Sequence, residues 1–239
     1  MSRQFLRYAF NRKSDQSADM PRTSRAIVAD HYYHVINRGN DQLQRFHDRA
    51  DYSAFLWLVA EANDHAPLPI IGACVMPNHV HLVVRPSRDV DLAQWTHWLF
   101  TTHARRYHRK HGGSGRVWQG RYKAFVIQGD AHLLTVLRYV ERNALSANLV
   151  RRAEEWEWGS LYWRTRVSAP FALEESPVPL PVNWRDYVNA PQSADEVEAI
   201  RSRVNRQAPF GTPDWATRKA IEFGLEKSLT PLGRPRKKL

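Results

Sequence analysis

The chain has 239 residues, a formal net charge of +11 and a pI near 10.1, so it can bury one substantial core with a small appendage and is expected to bind a polyanion. Cys74 is the only cysteine, which excludes an intramolecular disulfide and a cysteine-rich zinc site. No apolar run approaches the length of a membrane span and the start lacks a signal-peptide core, so we expect a cytoplasmic protein that binds no membrane.

The first half of the chain predicts three strands and two helices. Residues 31–38 alternate between the two faces of a strand, and residues 51–64 carry apolar side chains at helical spacing. Residues 69–75 are a second apolar strand, and the Pro-Asn turn at residues 77–78 leads from it into a third. Residues 91–111 predict a long helix that is ended by a pair of glycines.

The next elements complete an α+β pattern. Residues 118–127 predict a fourth strand, and residues 133–145 predict an amphipathic helix with Asp130 as its N-cap. The order strand, helix, strand, strand, helix, strand, helix favours an antiparallel sheet covered by helices, in a ferredoxin-like arrangement. We assign residues 20–165 to this single domain.

The two ends of the chain differ from this domain in composition. Residues 1–19 lack apolar periodicity, so we expect an unstructured extension, with a basic arm that contacts phosphates as the alternative. Residues 166–192 are rich in proline and predict an extended connector. Residues 193–239 predict two short helices, opened by a capping box and by Pro213, followed by a basic tail. These helices can pack onto the domain or form a separate DNA-binding unit.

Two histidines stand one residue apart in the third predicted strand. Side chains alternate along a strand, so His79 and His81 project from the same face. Two imidazoles side by side can chelate one divalent cation. The alternative is one satisfied core histidine and one surface histidine.

The amphipathic helix carries a second pair of polar residues. Tyr139 and Asn143 are four residues apart and therefore lie on one side of a helix. Beside a His-x-His strand, they can act as a phenolic nucleophile and a third, neutral metal ligand. The alternative is a packing tyrosine and a solvated asparagine.

A basic segment follows the second predicted helix. Residues 101–125 include seven lysines and arginines and no acid, with Trp118 and Tyr122 between them. This pattern predicts a surface that follows phosphates and stacks aromatic rings on unpaired bases, whereas a solvated helix face would mix both signs of charge. In the tail, Arg234 and Arg236 flank a proline as in an AT-hook, which enters a narrow minor groove. A solubilising tail is the alternative.

These features together resemble a known family. The strand of His79 and His81 and the helix of Tyr139 and Asn143 are similar to those of the HUH single-tyrosine transposases, and more narrowly of the REP-associated tyrosine transposases (RAYTs) of bacteria. The resemblance covers most of the chain and includes Met-Pro-Arg at 20–22, Asn-Arg-Gly-Asn at 37–40, Asp-Tyr at 51–52 with Phe55, Met-Pro-Asn-His-Val-His at 76–81, Trp-Gln-Gly-Arg-Tyr-Lys at 118–123 and Gly-Arg-Pro-Arg-Lys at 233–237. One departure is that the family usually carries Asn-Pro-Val where Ala144 and Leu145 follow Asn143 here.

The resemblance implies an HUH endonuclease fold for residues 20–165 and a metal-dependent transposase that cleaves and rejoins single-stranded or hairpin DNA of REP type. Tyr139 would form a phosphotyrosine with the 5′ end of the DNA, and His79, His81 and Asn143 would hold Mg²⁺ or Mn²⁺. We expect a nucleoid-associated monomer or homodimer that uses no small-molecule organic cofactor. The residues expected to bind DNA are Arg38, Asn40, Arg105, Arg109, Trp118, Gln119, Arg121, Tyr122, Lys123, Arg234 and Arg236.

Two other functions fit parts of the pattern. A histidine-triad hydrolase would need a third histidine where Val83 stands. A DNA-binding protein could keep the fold without the chemistry, although the intact set of Tyr139, His79, His81 and Asn143 argues against it. A metal-dependent covalent adduct with single-stranded DNA separates these functions from a transposase.

Overall fold

The structure of the protein is a computed structural model, and it describes residues 27–166 and 169–230. The expectations for residues 1–19, for Arg234 and for Arg236 fall outside these residues. None of the helices in the described part of the chain is long and apolar enough to cross a bilayer.

Four strands form one antiparallel sheet in the order β2-β3-β1-β4. The strands are β1 (Tyr32–Arg38), β2 (Ile70–Met76), β3 (His79–Val84) and β4 (Lys123–Ile127). The two central strands are β3 and β1, and β4 is an edge strand. This order and the alternation with helices confirm the predicted ferredoxin-like α+β fold.

Helices cover both faces of the sheet. The helices are α1 (Arg49–His65), α2 (Asp91–His111), α3 (Ala131–Glu141), α4 (Asn143–Ser146), α5 (Ser160–Arg164), α6 (Trp184–Asn189), α7 (Ala194–Arg206), α8 (Pro213–Glu222) and α9 (Glu226–Leu229). One apolar cluster joins α1 and α2 to one face of the sheet, and a second joins α3 to the other. Alternation along the strands assigns Val80 and Leu82 to the first cluster and Val83 to the second.

Two predicted elements have different bounds in the structure. The fourth strand begins only at Lys123, because Gly120 has a φ of 124°, a conformation that favours glycine and interrupts extended backbone. Trp118 therefore pairs with Gly39 through an isolated bridge. The predicted helix over residues 133–145 is divided at Arg142, whose φ of −83° and ψ of −9° separate α3 from α4.

The C-terminal helices pack onto the domain, which answers a question that the sequence left open. The backbone N–H of Phe210 donates to the carbonyl of Val126 in β4 over 2.8 Å. The predicted capping box opens α7 and a proline opens α8. Residues 166–192 are not wholly extended, because they contain α6. In α8, the buried residues are Ala216 and Ala220, whereas Ile221 is 62% exposed.

Candidate active site

The two histidines of β3 face α3, on the side of the sheet away from α1 and α2. His81 lies opposite Ile36 of β1 and Cys74 of β2, so its strand has a neighbour on each side and its ring is buried. His79 is the first residue of the strand and is half-buried. The two ring centroids are 4.8 Å apart. The rings therefore lie on one face, as the alternation predicts.

The helices α3 and α4 bring Tyr139 and Asn143 to these rings. Asn143 opens α4, and its Nδ2 lies 3.2 Å from Nε2 of His81. The ring of Tyr139 stands at 87° to the ring of His81, with 5.8 Å between their centroids. The structure thus brings together the four predicted residues, although the division at Arg142 assigns Tyr139 and Asn143 to two helices.

The close approach of α3 to the sheet depends on Gly72 of β2. A Cβ at this position would lie 2.7 Å from Cδ2 of Leu137, so no side chain fits without a shift of α3. Asp130 caps the helix as predicted, because its carboxylate accepts a hydrogen bond from the backbone N–H of His132 over 2.9 Å. The position of Tyr139 is therefore set by packing at Leu137 and by the cap.

Buried polar contacts that the sequence did not indicate hold the rest of α3. The fully buried carboxylate of Glu141 accepts hydrogen bonds from Ser160 Oγ at 2.7 Å, Arg164 Nε at 2.9 Å and Trp184 Nε1 at 2.6 Å. Each of these donors comes from the chain beyond α4. Hydrogen bonds of Glu141 therefore connect α3, the helix that carries Tyr139, directly to α5 and α6.

A third histidine, His34 of β1, also lies at the site and was missed by the sequence analysis. Its ring is fully buried, and its Nε2 lies 2.8 Å from Nδ1 of His81. The ring centroids of His34 and Tyr139 are 6.2 Å apart. A histidine in the first predicted strand was the available signal, but strand register cannot be read from one sequence, so its neighbour on β3 was unknown.

All three histidines at the site are neutral at pH 7. Burial, and next the charge of His79, lower the pKa of His34 to about 3. Burial and then Arg38 lower the pKa of His79 to about 4, against a smaller opposite effect of a hydrogen bond with Asn143. Burial also holds the pKa of His81 well below its usual value. Neutral imidazoles are the form that binds metals.

The donor atoms at the site fit a divalent cation. Nδ1 of His79 is hydrogen bonded to Oδ1 of Asn78 at 2.6 Å, and Nδ1 of His81 is occupied by His34. The Nε2 atom of each histidine is therefore the one left to bind a cation, and that of His81 lies 3.2 Å from Nδ2 of the Asn143 amide. Within residues 27–166 and 169–230, no group of three or more His, Cys, Asp or Glu side chains is arranged to hold a metal. A cation site with three protein ligands therefore needs the amide of Asn143 in addition to His79 and His81.

A basic cleft borders the site along the edge of the sheet. Arg38 lies opposite His79 in the sheet register, and it borders a cleft of about 330 Å³ together with Gln119, Arg121, Lys123 and two residues of α7. Lys123 lies on the same face of β4 as Phe125, which contacts the His34 ring at 5.0 Å between centroids. Four of the expected DNA-binding residues therefore share one cleft, which reaches the site at Arg38.

A second cleft lies on the α2 side of the sheet. Its volume is about 770 Å³, and it is bordered by Arg105, Arg116 and Arg121 together with residues of α2 and of the loop before β4. Arg109 is exposed on α2, and the side chain of Asn40 is hydrogen bonded to Asp41 at 2.8 Å. Because Asn37 and Arg121 border both clefts, the two are adjacent across β1.

The expectation that Trp118 and Tyr122 stack on bases needs correction. Trp118 is 6% exposed and Tyr122 is 7% exposed, and the Trp118 ring packs against Phe100 and His103. Rings with covered faces cannot stack on a base. The spacing of these aromatic residues predicts a surface, because the sequence alone does not show that α2 and the sheet enclose this loop.

Comparisons with known proteins place these observations in context. Residues 27–143 match the family of IS200-like transposases. The chain is 26% identical over 110 residues to a Haemophilus influenzae protein whose name assigns it to the REP-associated tyrosine transposases. That match covers 41% of this chain and 62% of the relative, so the chain spans less than two thirds of the relative's length.

A solved structure of a REP-associated tyrosine transposase bound to a REP hairpin is also similar to this chain. The TM-score is 0.51 and the sequence identity is 15%, over 66% of this chain and 94% of the other. At this identity the similarity establishes a shared fold.

Proposed function

We propose that the protein is a transposase that cleaves and rejoins single-stranded or hairpin DNA, because residues 27–143 match the IS200-like transposase family. The observation that carries this proposal is the grouping of Tyr139, two neutral histidines and Asn143 beside a basic cleft. The hairpin-bound relative supports the choice of DNA substrate.

We assign the nucleophile to Tyr139. Its phenolic oxygen attacks the phosphorus, the bond from phosphorus to the 3′ oxygen breaks, and the 5′ phosphate remains on the tyrosine. The phenol proton passes to solvent, and the departing 3′ oxygen takes up a proton. The phosphotyrosine keeps the energy of the phosphodiester, so a second 3′ hydroxyl can reverse the step and rejoin the strand.

His79 and His81 through their Nε2 atoms and Asn143 through its amide oxygen would hold Mg²⁺ or Mn²⁺. Such a cation, when bound, polarises the phosphate and offsets its charge. The three side chains are neutral and leave that charge undiminished. Arg38 adds a fixed positive charge beside His79, where a phosphate would approach.

We assign the DNA path to the two clefts. Arg105 and Arg116 would contact phosphates on the α2 side, Arg121 would contact the strand at the junction, and Arg38 and Lys123 would lead it to Tyr139. In the described part of the chain, none of these five cations forms an ion pair. Their charge is therefore available to phosphates.

A covalent-adduct assay tests the proposal. The substrate is a 3′-labelled DNA hairpin with single-stranded flanks of random sequence, incubated with the full chain and Mn²⁺ and resolved on a denaturing gel. The wild type should give a labelled protein band whose tryptic peptide carries a nucleotide on Tyr139. Tyr139→Phe should give none while retaining hairpin binding, because only a hydroxyl is lost.

The matched control is Tyr162→Phe, which removes a phenol from α5 on the other side of the sheet and should keep the adduct. Hairpin binding by the wild type without an adduct in Mg²⁺ or Mn²⁺ would indicate the DNA-binding protein without chemistry. An adduct that persists in Tyr139→Phe would refute the assignment of the nucleophile.

A further inference from the structure

The contact between His34 and His81 has a specific geometry. Their ring planes differ by 5°, their centroids are 5.0 Å apart, and His34 Nε2 lies 2.8 Å from His81 Nδ1. Two stacked rings would not bring edge nitrogens this close at that centroid separation. The imidazoles therefore lie edge to edge in one plane, joined by an in-plane hydrogen bond.

The position of one proton determines whether Nε2 of His81 can bind a cation. Each neutral imidazole carries one N–H, and the other ring nitrogen has a lone pair. If His34 donates to His81 Nδ1, the proton of His81 is on Nε2, which then cannot bind a cation. If His34 Nε2 accepts instead, the proton of His81 is on Nδ1 and the lone pair is on Nε2, which lies 3.2 Å from Nδ2 of Asn143.

His79, the neighbouring ligand candidate, also has a hydrogen bond at Nδ1, and the direction of this bond can be assigned. Asn78 donates from Nδ2 to the carbonyl of Gln42 at 3.0 Å, so its Oδ1 is the atom that faces His79 Nδ1 at 2.6 Å. An amide oxygen only accepts, so the proton of His79 lies on Nδ1. Both histidines of β3 thus have a partner on Nδ1 and present Nε2 to the site.

We propose that His34 is a positioning residue of the cation site: its Nε2 accepts the Nδ1 proton of His81, which leaves Nε2 of His81 as the ligand atom and fixes the plane of the ring. This inference rests on the proposed function, because it needs a cation at His81. Partners of this kind fix the tautomer of a metal-bound histidine, and their loss costs about 10–100-fold in metal affinity.

The test measures Mn²⁺ binding by calorimetry and by the spectrum of bound Mn²⁺, with no DNA present. His34→Leu fills the buried space without an acceptor and should weaken Mn²⁺ binding about 10–100-fold. His34→Gln offers an amide oxygen in place of Nε2 and should restore most of the affinity. Phe125→Leu is the matched control, since it changes packing against the same ring but keeps the acceptor, and should leave the affinity within about threefold of the wild type.

A second measurement reads the proton directly. Long-range ¹⁵N–¹H spectra of the wild-type protein loaded with Mg²⁺ should show His81 protonated on Nδ1 and not on Nε2. Thermal melting of each variant in EDTA reports the fold separately. If His34→Leu does not fold, the spectrum and His34→Gln still decide the question.

Wild-type Mn²⁺ affinity in folded His34→Leu would overturn the inference, as would a proton on Nε2 of His81 in the Mg²⁺-loaded wild type. These results would leave the proposed function standing, because the wild type would still bind the cation. A wild type that binds no Mn²⁺ would overturn the cation site of the proposed function and this inference together.

Discussion

The two faces of the sheet are made by the same four strands but are filled differently. On the side of α1 and α2 the packing is apolar and aromatic, with Phe55 and Trp95 fully buried. On the side of α3, the rings of His34 and His81 and the carboxylate of Glu141 are buried among aliphatic side chains. Buried polar groups lower stability unless they are partnered, so we expect the first face to contribute most of the stability, whereas the second holds the candidate active site.

The largest effect on stability should follow from truncation of the apolar face. Phe55→Ala removes a side chain that is fully buried and should lower the free energy of unfolding by about 3–5 kcal/mol, because a cavity remains. Urea denaturation measures this loss. The adduct yield per folded molecule should stay at the wild-type level, because no residue of the site is touched.

The matched variant on the other face is His81→Gln, which should lower the rate of adduct formation roughly 100-fold or more with a small change in the urea midpoint. The comparison of the two faces fails if fully folded Phe55→Ala loses the adduct or if His81→Gln keeps the wild-type rate in Mn²⁺.

The pH dependence of stability should also separate the two faces. In EDTA, unfolded histidines bind protons below pH 6.5, whereas burial lowers the pKa of folded His79 and of folded His103 to about 4 and that of His34 to about 3. Since the unfolded state then binds more protons, the free energy of unfolding falls as the pH drops from about 6.5 to 4, by roughly 3 kcal/mol for His103 alone.

Of these three histidines, only His103 lies on the α1–α2 side of the sheet, where it packs against Phe55 and Trp118. His103→Leu should therefore reduce the slope of stability against pH by about one proton, and the histidines at the site should retain the rest. Urea midpoints between pH 7 and pH 4.5 measure the slope. A slope unchanged in His103→Leu, or one abolished by it, would contradict this division between the faces.

A smaller effect should come from the contact between α3 and the sheet. Gly72→Ala places a Cβ 2.7 Å from Leu137 Cδ2, so it should cost about 1–3 kcal/mol through overpacking and should slow adduct formation by moving Tyr139. Leu137→Val shortens the opposing side chain. In a double-mutant cycle, the two changes together should cost less than the sum of the single changes. Additive losses would show that the contact does not position α3.

The sequence was sufficient for most elements between residues 31 and 141, because these follow from local periodicity. The grouping of the two histidines with Tyr139 and Asn143 followed instead from the resemblance to a known family. The bounds of α2 were predicted to the residue, and its end follows from Gly112, whose φ is 73°. The features that the sequence did not reveal depend on tertiary packing. His34 meets His81 only through the register of β1 and β3, and Trp118 is buried only because α2 folds over its loop.

The smallest effect is expected within the basic segment, where the two faces meet. Arg121 borders both clefts, whereas Lys110 is hydrogen bonded to Asp48 at 2.8 Å and to Asp51 at 2.7 Å. If DNA passes from one cleft to the other, Arg121→Ala should lower the slope of log K against log salt by about 0.7–0.9. Lys110→Ala removes the same formal charge but should leave the slope unchanged, because its charge is already balanced by two carboxylates. Binding of labelled hairpin DNA in EDTA across a salt series measures both slopes without cleavage. Equal slopes for the two variants would mean that the path avoids Arg121, and the site beside His79 would then be reached from the α3 side of the sheet alone.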